Sequence, residues 1–205
     1  NKGFKVNGTK SFISGGAFSD IYLTMVRTGE SGSHGISALL VNKNTEGLSF
    51  GSNEDKMGWK SQPTAQVIFD DCSISYEQLL GEENKGFIYA MRGLDGGRLN
   101  IAAAALGGAQ TALNLAKKYI KERKAFGKKL TDFQGLQFKV ADMEIAINSS
   151  RTFLREAAWK LDNEISDAGV YCAMAKKYVT DNAFNVANNS LQLLGGYGYL
   201  TDYGI

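Results

Sequence analysis

Apolar positions change period along this chain. Up to about Leu80 they fall in short runs rich in β-branched and aromatic residues, and beyond about Asn84 they recur every three to four residues. The first part reads as strands and the second as long helices. Phe4-Lys5-Val6 and Lys10-Ser11-Phe12-Ile13 flank Asn7-Gly8, a dipeptide that suits the two positive-φ positions of a type I′ turn, so the pattern predicts a hairpin. Asp20–Arg27, Gly35–Val41 and Thr64–Phe69 follow as strands separated by Gly, Ser, Asn and Asp, with Pro63 at a strand entry. Several strands in so short a space suggest a compact antiparallel sheet or barrel.

Three helical stretches fill the rest. The first spans Lys85 to Lys121 with Ile101, Ala105 and Leu106 in its stripe. The second is predicted to start at Thr131, where Thr131 and Gln134 have capping-box spacing, and to run through Leu136, Val140, Met143, Ile147 and Leu154 to about Asn163. The third starts at Ser166-Asp167 and stops at Gly195-Gly196, where glycine accepts the left-handed conformation without Cβ strain. The expected class is therefore α+β and multi-domain. Residues 1–80 form a β-domain, and residues 84–205 form an antiparallel bundle whose fourth helix is expected outside the sequence.

Composition narrows the function. The 205 residues are 43% hydrophobic and 21% charged, ordinary for a packed globular chain. A net charge of +2 gives no electrostatic case for a nucleic-acid partner. Cys72 and Cys172 lie far apart, neither is in a Cys-x-x-Cys pattern, and the single histidine, His34, sits in a Ser/Gly-rich stretch. That pattern gives no case for a His/Cys metal site, and free core thiols are expected. No run is apolar for long enough to span a bilayer, and Asn1-Lys2-Gly3-Phe4 does not open like a signal peptide, so a piece of a longer protein is expected.

Four segments could carry chemistry. Phe12-Ile13-Ser14-Gly15-Gly16 places a ring and a hydroxyl at a strand end, where a planar ligand could stack; the simpler reading is a strand followed by a turn. Arg92-Gly93-Leu94-Asp95-Gly96-Gly97-Arg98 puts three glycines inside a helical pattern, each costing about 0.5–1 kcal/mol relative to alanine. Close approach of a ligand explains them, as does tight helix packing with Asp95 and Arg98 paired on a solvated face. Lys117–Lys129 is basic, and most of its lysines simply complement a helix C-terminus. Arg123 stands out, because its fork of donors suits a pyrophosphate and Phe126-Gly127 beside it offers a ring and open backbone. Gln192–Tyr199 ends a helix with paired glycines that could also admit a dinucleotide, although it lacks the spacing of a Rossmann or Walker loop.

Taken in order, Lys10–Ser14, Gly58–Thr64 leading into Val67–Asp71, Leu94–Arg98, Arg123–Gly127 and Gln192–Tyr199 resemble the acyl-CoA dehydrogenase flavoproteins over essentially the whole chain. The short- and branched-chain branch fits best. The resemblance implies a helical N-terminal domain, a middle β-domain and a C-terminal four-helix bundle, with FAD between the last two. It assigns Phe12, Ile13 and Ser14 to the isoalloxazine. Arg123, Phe126, Phe133 and Gln134, with Gln192, Leu193, Leu194, Gly195 and Gly196, become contacts to FAD, largely that of a neighbouring subunit. Asp95, Gly96, Gly97 and Arg98 become acyl-CoA contacts.

The reaction so implied is α,β-dehydrogenation of a short or branched acyl-CoA thioester such as isobutyryl-CoA, in fatty-acid and branched-chain amino-acid catabolism. A carboxylate removes the α-proton, and the electrons pass to an electron-transferring flavoprotein. The family base lies either beyond the Gly-Tyr-Gly-Tyr motif or immediately before the arginine matching Arg98, which here is Gly97. No catalytic residue is therefore expected within these residues, and the chain alone should be inactive. A homotetramer is implied, in the cytoplasm of a bacterium or the mitochondrial matrix of a eukaryote. The alternatives are an acyl-CoA oxidase of the same fold and a non-catalytic flavin-binding or interaction module.

Overall fold

The computed structural model describes residues 3–205 as two compact units, divided between Arg92 and Gly93. Strands give way to helix near Leu80–Asn84, as the pattern suggests, but the contact boundary falls later, inside the first long helix.

In the first unit, β1 (Gly3–Ser14), β2 (Ile21–Arg27), β3 (Ile36–Asn42), β4 (Leu48–Phe50) and β5 (Thr64–Ser75) make two antiparallel sheets. One has the order β1-β5-β4 and the other is the β2-β3 pair, so the strands neither form a single sheet nor close into a barrel. Val6, Tyr22, Leu39, Val41, Val67, Phe69, Cys72 and Ile74 form the core between them.

The hairpin expected at Asn7-Gly8 does not exist. β1 is one continuous strand along β5, and the Asn7-Gly8 site faces a bulge: Val6 pairs with Cys72 and Gly8 with Phe69, leaving an extra residue on β5. Asp71 takes φ 51° there. The Asn7 amide replaces the lost ladder bonds by donating Nδ2–H to Asp71 Oδ1 (2.9 Å) and accepting from the Asp71 N–H (2.7 Å). Asn-Gly predicts a tight turn only when the chain on either side pairs with itself; here β5 captured both halves.

A second bulge lies where β1 passes Val67 and Ala65. Lys10 pairs with Val67 and Ile13 with Ala65, so Ser11 and Phe12 together oppose a single residue, and Phe12 takes φ 58°. β5 also continues past Phe69 to Ser75. The exit from the sheet is fixed by Asn84, whose N–H donates to Ser37 Oγ (2.7 Å) while its Oδ1 accepts from Thr28 Oγ1 (2.9 Å). Gly86 follows because a Cβ there would sit 2.5 Å from the Ser37 carbonyl carbon.

α1 (Gly86–Glu122), α2 (Gln134–Asp162) and α3 (Ala168–Leu193) dominate the second unit. From Gly93 on, α1 buries Leu99, Ala102, Leu106, Ala109, Leu113, Ala116 and Ile120, a stripe at helical spacing. It packs with Met143, Ile147, Leu154 and Ala157 of α2 and Cys172, Ala175, Val179, Ala183 and Val186 of α3. Each fully buried Leu or Ile, such as Leu113 or Ile147, stabilises this core by about 2 kcal/mol. Buried Ser150 accepts from Asn182 (3.1 Å), and Lys117 pairs with Glu144 (2.6 Å) across α1 and α2. Both cysteines are buried and free, as expected.

α1 and α2 are joined by a tiny hairpin, β6 (Lys124–Ala125) and β7 (Lys128–Lys129). Its turn residues Phe126 and Gly127 have φ 52° and 80°, so two successive positive-φ residues occur here and not at Asn7-Gly8. The expected Thr131–Gln134 capping box is also absent. Residues Leu130–Asp132 form a short 3-10 turn, α2 begins at Gln134, and its cap residue Phe133 makes no side-chain cap bond. The Asp132 carboxylate serves the preceding turn instead, accepting from the Lys129 N–H (3.0 Å).

Candidate cofactor and substrate sites

Three clusters hold the residues singled out in the sequence. In the β unit, the second bulge turns Phe12 outward, 73% exposed, while Ile13 packs against the core. Ser14 ends β1, and the chain then reverses: Gly15 has φ 77°, its N–H donates to Pro63 O (2.8 Å), and its carbonyl accepts from Tyr22 Oη (3.2 Å). Gly16 is packed so closely that a Cβ would lie 3.0 Å from that of Ala65. Ile13 and Ser14 line a groove of about 360 Å³ with Tyr22, Leu23 and Val67, and Phe12 stands outside it. A bare aromatic face, a hydroxyl and a small apolar groove therefore share one strand end.

On α1, Asp95 and Arg98 form the expected i,i+3 pair, Arg98 Nη1 donating to Asp95 Oδ1 at 2.6 Å. The pair is only partly solvated, with the Arg98 side chain 39% exposed. Asp95 is only 24% exposed, and its Oδ2 would sit 3.3 Å from a Cβ on Gly169 in the first turn of α3. Burial pushes the nearby Cys172 thiol pKa up, and the Asp95 charge adds to that while Arg98 opposes it. Gly93, Gly96 and Gly97 do not serve tight packing: among the described residues, a Cβ at any of them meets nothing within 4 Å. Within the described residues they leave a bare helix face.

The third cluster is the most complete. Arg123, Ala125, Leu130, Leu136, Gln192, Leu193, Leu194, Gly195, Gly196 and Tyr197 line one cleft of about 480 Å³ with Tyr119 and Leu200. Gly195 adopts φ 59° as α3 stops, and Cβ atoms on Gly195 or Gly196 would meet nothing within 4 Å. Their backbone is open to a ligand. Arg123 makes no ion pair or side-chain hydrogen bond among the described residues; its guanidinium lies over the Tyr197 ring, 5.3 Å from the centroid. Tyr119 and Tyr203 complete an aromatic cluster with Tyr197, with centroids 5.1 to 6.1 Å apart. Burial raises the Tyr119 pKa, while Arg123 pulls it down.

Phe126, Phe133 and Gln134 do not line that cleft. Phe126 is 95% exposed at the hairpin tip and meets Phe133 edge-on at 6.4 Å, and Lys128 Nζ lies 4.2 Å from the Phe133 centroid. Gln134 is exposed at the start of α2. The place of Tyr119 in the lining of the cleft, with Tyr203 packed against it, is not among the sequence expectations. The available signal was the i,i+4 spacing of Tyr119 and Arg123 on one helix face.

The cleft of the helical unit, with an unpaired guanidinium and open glycine backbone, has the chemistry to hold a phosphate group, and the strand end of the β unit, with a bare ring and a hydroxyl, has the chemistry to hold a planar ligand. Metal chemistry finds no ligand set, since no cluster of three or more His, Cys, Asp or Glu occurs among the described residues. No described helix is long and apolar enough to cross a membrane.

Residues 1–72 match the family described as "Acyl-CoA dehydrogenase, middle domain" and residues 84–205 match "Acyl-CoA dehydrogenase, C-terminal domain". The chain is 52% identical over 98% of its length to isobutyryl-CoA dehydrogenase, mitochondrial, of Dictyostelium discoideum, and 50% identical over 98% to that of Bos taurus, covering 48% of each. It therefore spans about half the length of these curated relatives. The structure of butyryl-CoA dehydrogenase from Megasphaera elsdenii superposes with a TM-score of 0.94 at 42% identity, over 98% of this chain and 52% of that one. These matches in sequence and fold lead to one conclusion: the chain belongs to the acyl-CoA dehydrogenase family of FAD-dependent oxidoreductases.

Proposed function

We propose that these residues belong to an enzyme that dehydrogenates a short, branched acyl-CoA thioester of the isobutyryl-CoA type. The observation that carries this reading is the meeting of Arg123 with the open Gly195-Gly196 backbone in one cleft, among the residues that the resemblance assigns to FAD. FAD, when bound, supplies the hydride acceptor. Arg123 holds the pyrophosphate charge of a neighbouring subunit's FAD, and Gly195-Gly196 lets that ligand approach the backbone. Phe12 gives the isoalloxazine a stacking face, with Ser14 donating to a ring heteroatom.

Asp95, Gly96, Gly97 and Arg98 hold the acyl-CoA. The Asp95–Arg98 pair fixes two hydrogen-bonding groups on α1, and the two glycines keep its surface bare where the thioester chain must lie. Asp95 does not act as the base. Two positions along a helix turn the side chain about 200° from the Gly97 direction that one branch of the family uses. The α-proton goes instead to a glutamate of the longer protein, whose pKa is raised by burial beside the substrate. A fourth bundle helix, a homotetramer and an electron-transferring flavoprotein as acceptor complete the proposal. The compartment is the bacterial cytoplasm or the mitochondrial matrix.

The test is turnover by the whole protein with isobutyryl-, 2-methylbutyryl- and butyryl-CoA, using electron-transferring flavoprotein or oxygen as acceptor. Preference for isobutyryl-CoA with the flavoprotein acceptor supports the proposal. Fast electron delivery to oxygen would replace it with an oxidase.

A further inference from the structure

We propose that Tyr197 is a positioning residue whose ring sets the direction of the Arg123 guanidinium and so prepares the cleft for the FAD pyrophosphate. The inference rests on the reading of that cleft as the FAD contact and assigns a role to a side chain that the reading itself does not use.

The backbone of Arg123 is held on both sides. Its N–H donates to Tyr119 O (2.9 Å), and its carbonyl accepts from the Leu130 N–H (2.9 Å), which closes the β6–β7 hairpin behind it. The side chain is not held in this way. No described carboxylate pairs with it, and it is exposed, so its rotamers would be free but for the Tyr197 ring 5.3 Å away. An arginine fork is effective on phosphate only when its plane is already turned to the ligand, because ordering a long side chain opposes binding.

Tyr197 is well placed to impose that plane. It immediately follows Gly196, so the same short segment offers the open backbone and the ring. The ring is itself fixed, with Tyr203 5.1 Å away on one side and Tyr119 6.1 Å away on another. It is 37% exposed, so one part is packed while the cleft remains open beside it. A cation over an aromatic face at this distance is attracted by the ring quadrupole, and phenylalanine supplies that attraction as well as tyrosine does. Leucine supplies bulk without it.

The experiment is a double-mutant cycle on FAD affinity, measured by flavin fluorescence on the whole protein stripped of cofactor. Tyr197→Leu should weaken FAD binding about two- to fivefold, the size of one cation–π contact at a partly exposed site. Tyr197→Phe should restore wild-type affinity. Arg123→Ala should weaken binding about tenfold or more, as expected for a lost charged hydrogen bond. In the Arg123→Ala background, Tyr197→Leu should cost nothing further.

Equal losses from Tyr197→Leu in both backgrounds would overturn the proposal, because the ring would then act by packing alone. A loss in Tyr197→Phe equal to that in Tyr197→Leu would also overturn it, in favour of the hydroxyl. If Arg123→Ala leaves FAD affinity unchanged, the cofactor reading of the cleft fails, and the role of Tyr197 falls with it. That last outcome is distinct from the first two, which leave the cofactor reading standing.

Discussion

The two units present their candidate residues in opposite ways. In the β unit, Phe12 reaches its exposed position through a backbone irregularity, a bulge with φ 58° in the middle of a strand pairing. In the helical unit, Gln134 begins a helix, Gln192–Gly196 end one, and Arg123 follows directly on another. Regular helices deliver side chains and open glycines at their ends, where backbone groups are free in any case. Phe12 lies near the end of an edge strand, and the bulge there gives it the left-handed φ that sets the direction of its ring. The helical residues are presented by helix ends, and Phe12 by a bulge near a strand end.

The largest effect should come from the helical core that holds the helix ends in register. Leu113→Ala should cost about 2–5 kcal/mol of stability, read from urea unfolding followed by circular dichroism, because Leu113 is completely buried. A cost under about 1 kcal/mol would mean that the bundle can collapse around the gap.

The next tests separate glycines that the backbone needs from glycines left bare. Gly47 has φ 83°, and a Cβ there would collide with the Asp70 carbonyl oxygen, so Gly47→Ala should cost more than the ~1–2 kcal/mol of left-handed strain alone. Gly195→Ala, at φ 59° with open space, should cost only that strain. Gly97→Ala has the opposite sign: a helical glycine with nothing within 4 Å should gain about 0.5–1 kcal/mol as alanine. Thermal melts of the three variants check the order. A destabilised Gly97→Ala would return the α1 glycines to a packing role.

Phe12→Gly sharpens the contrast further. Phe12 buries little, and glycine adopts its positive φ without strain, so the cofactor-free protein should be as stable as wild type or slightly more stable. Its flavin binding should nevertheless weaken, measured by fluorescence titration. A clear loss of stability would make the ring structural.

The smallest effect concerns the other bulge. Hydrogen bonds from Asn7, and then Lys5, hold the Asp71 carboxyl below the usual carboxylate range. A depressed folded-state pKa contributes stability that is complete above the unfolded value of about 3.9 and is lost as pH falls through the folded value. Asp71→Asn should therefore lower stability slightly at neutral pH and leave the acid end unchanged, which flattens the acid limb of the profile. The ion pair is well exposed on both partners, which keeps the effect small.

The same contrast explains what could be read in advance. The extents of the helices followed from apolar spacing and from Gly195-Gly196, because a helix carries its own pairing within a continuous stretch. Strand pairing is non-local. Asn7-Gly8 looked like a turn, and only β5, more than 50 residues away, shows why it is part of a bulge facing Cys72 and Phe69. Phe126-Gly127 was singled out for its ring and its glycine, whereas the hairpin turn it forms depends on a strand pair of two residues per side, too short to have a period. Arg123 and Gln192–Gly196 were each noticed, but their shared cleft and its tyrosine floor arise only when α1 and α3 pack.

FAD-dependent dehydrogenation of an acyl-CoA by the whole protein is the proposal on which the roles of these residues rest. Its most direct test is the flavin absorbance of the whole protein before and after anaerobic addition of isobutyryl-CoA. The account predicts a bound-flavin band that bleaches on addition of the thioester. A protein that binds FAD but does not bleach with any short acyl-CoA would contradict it.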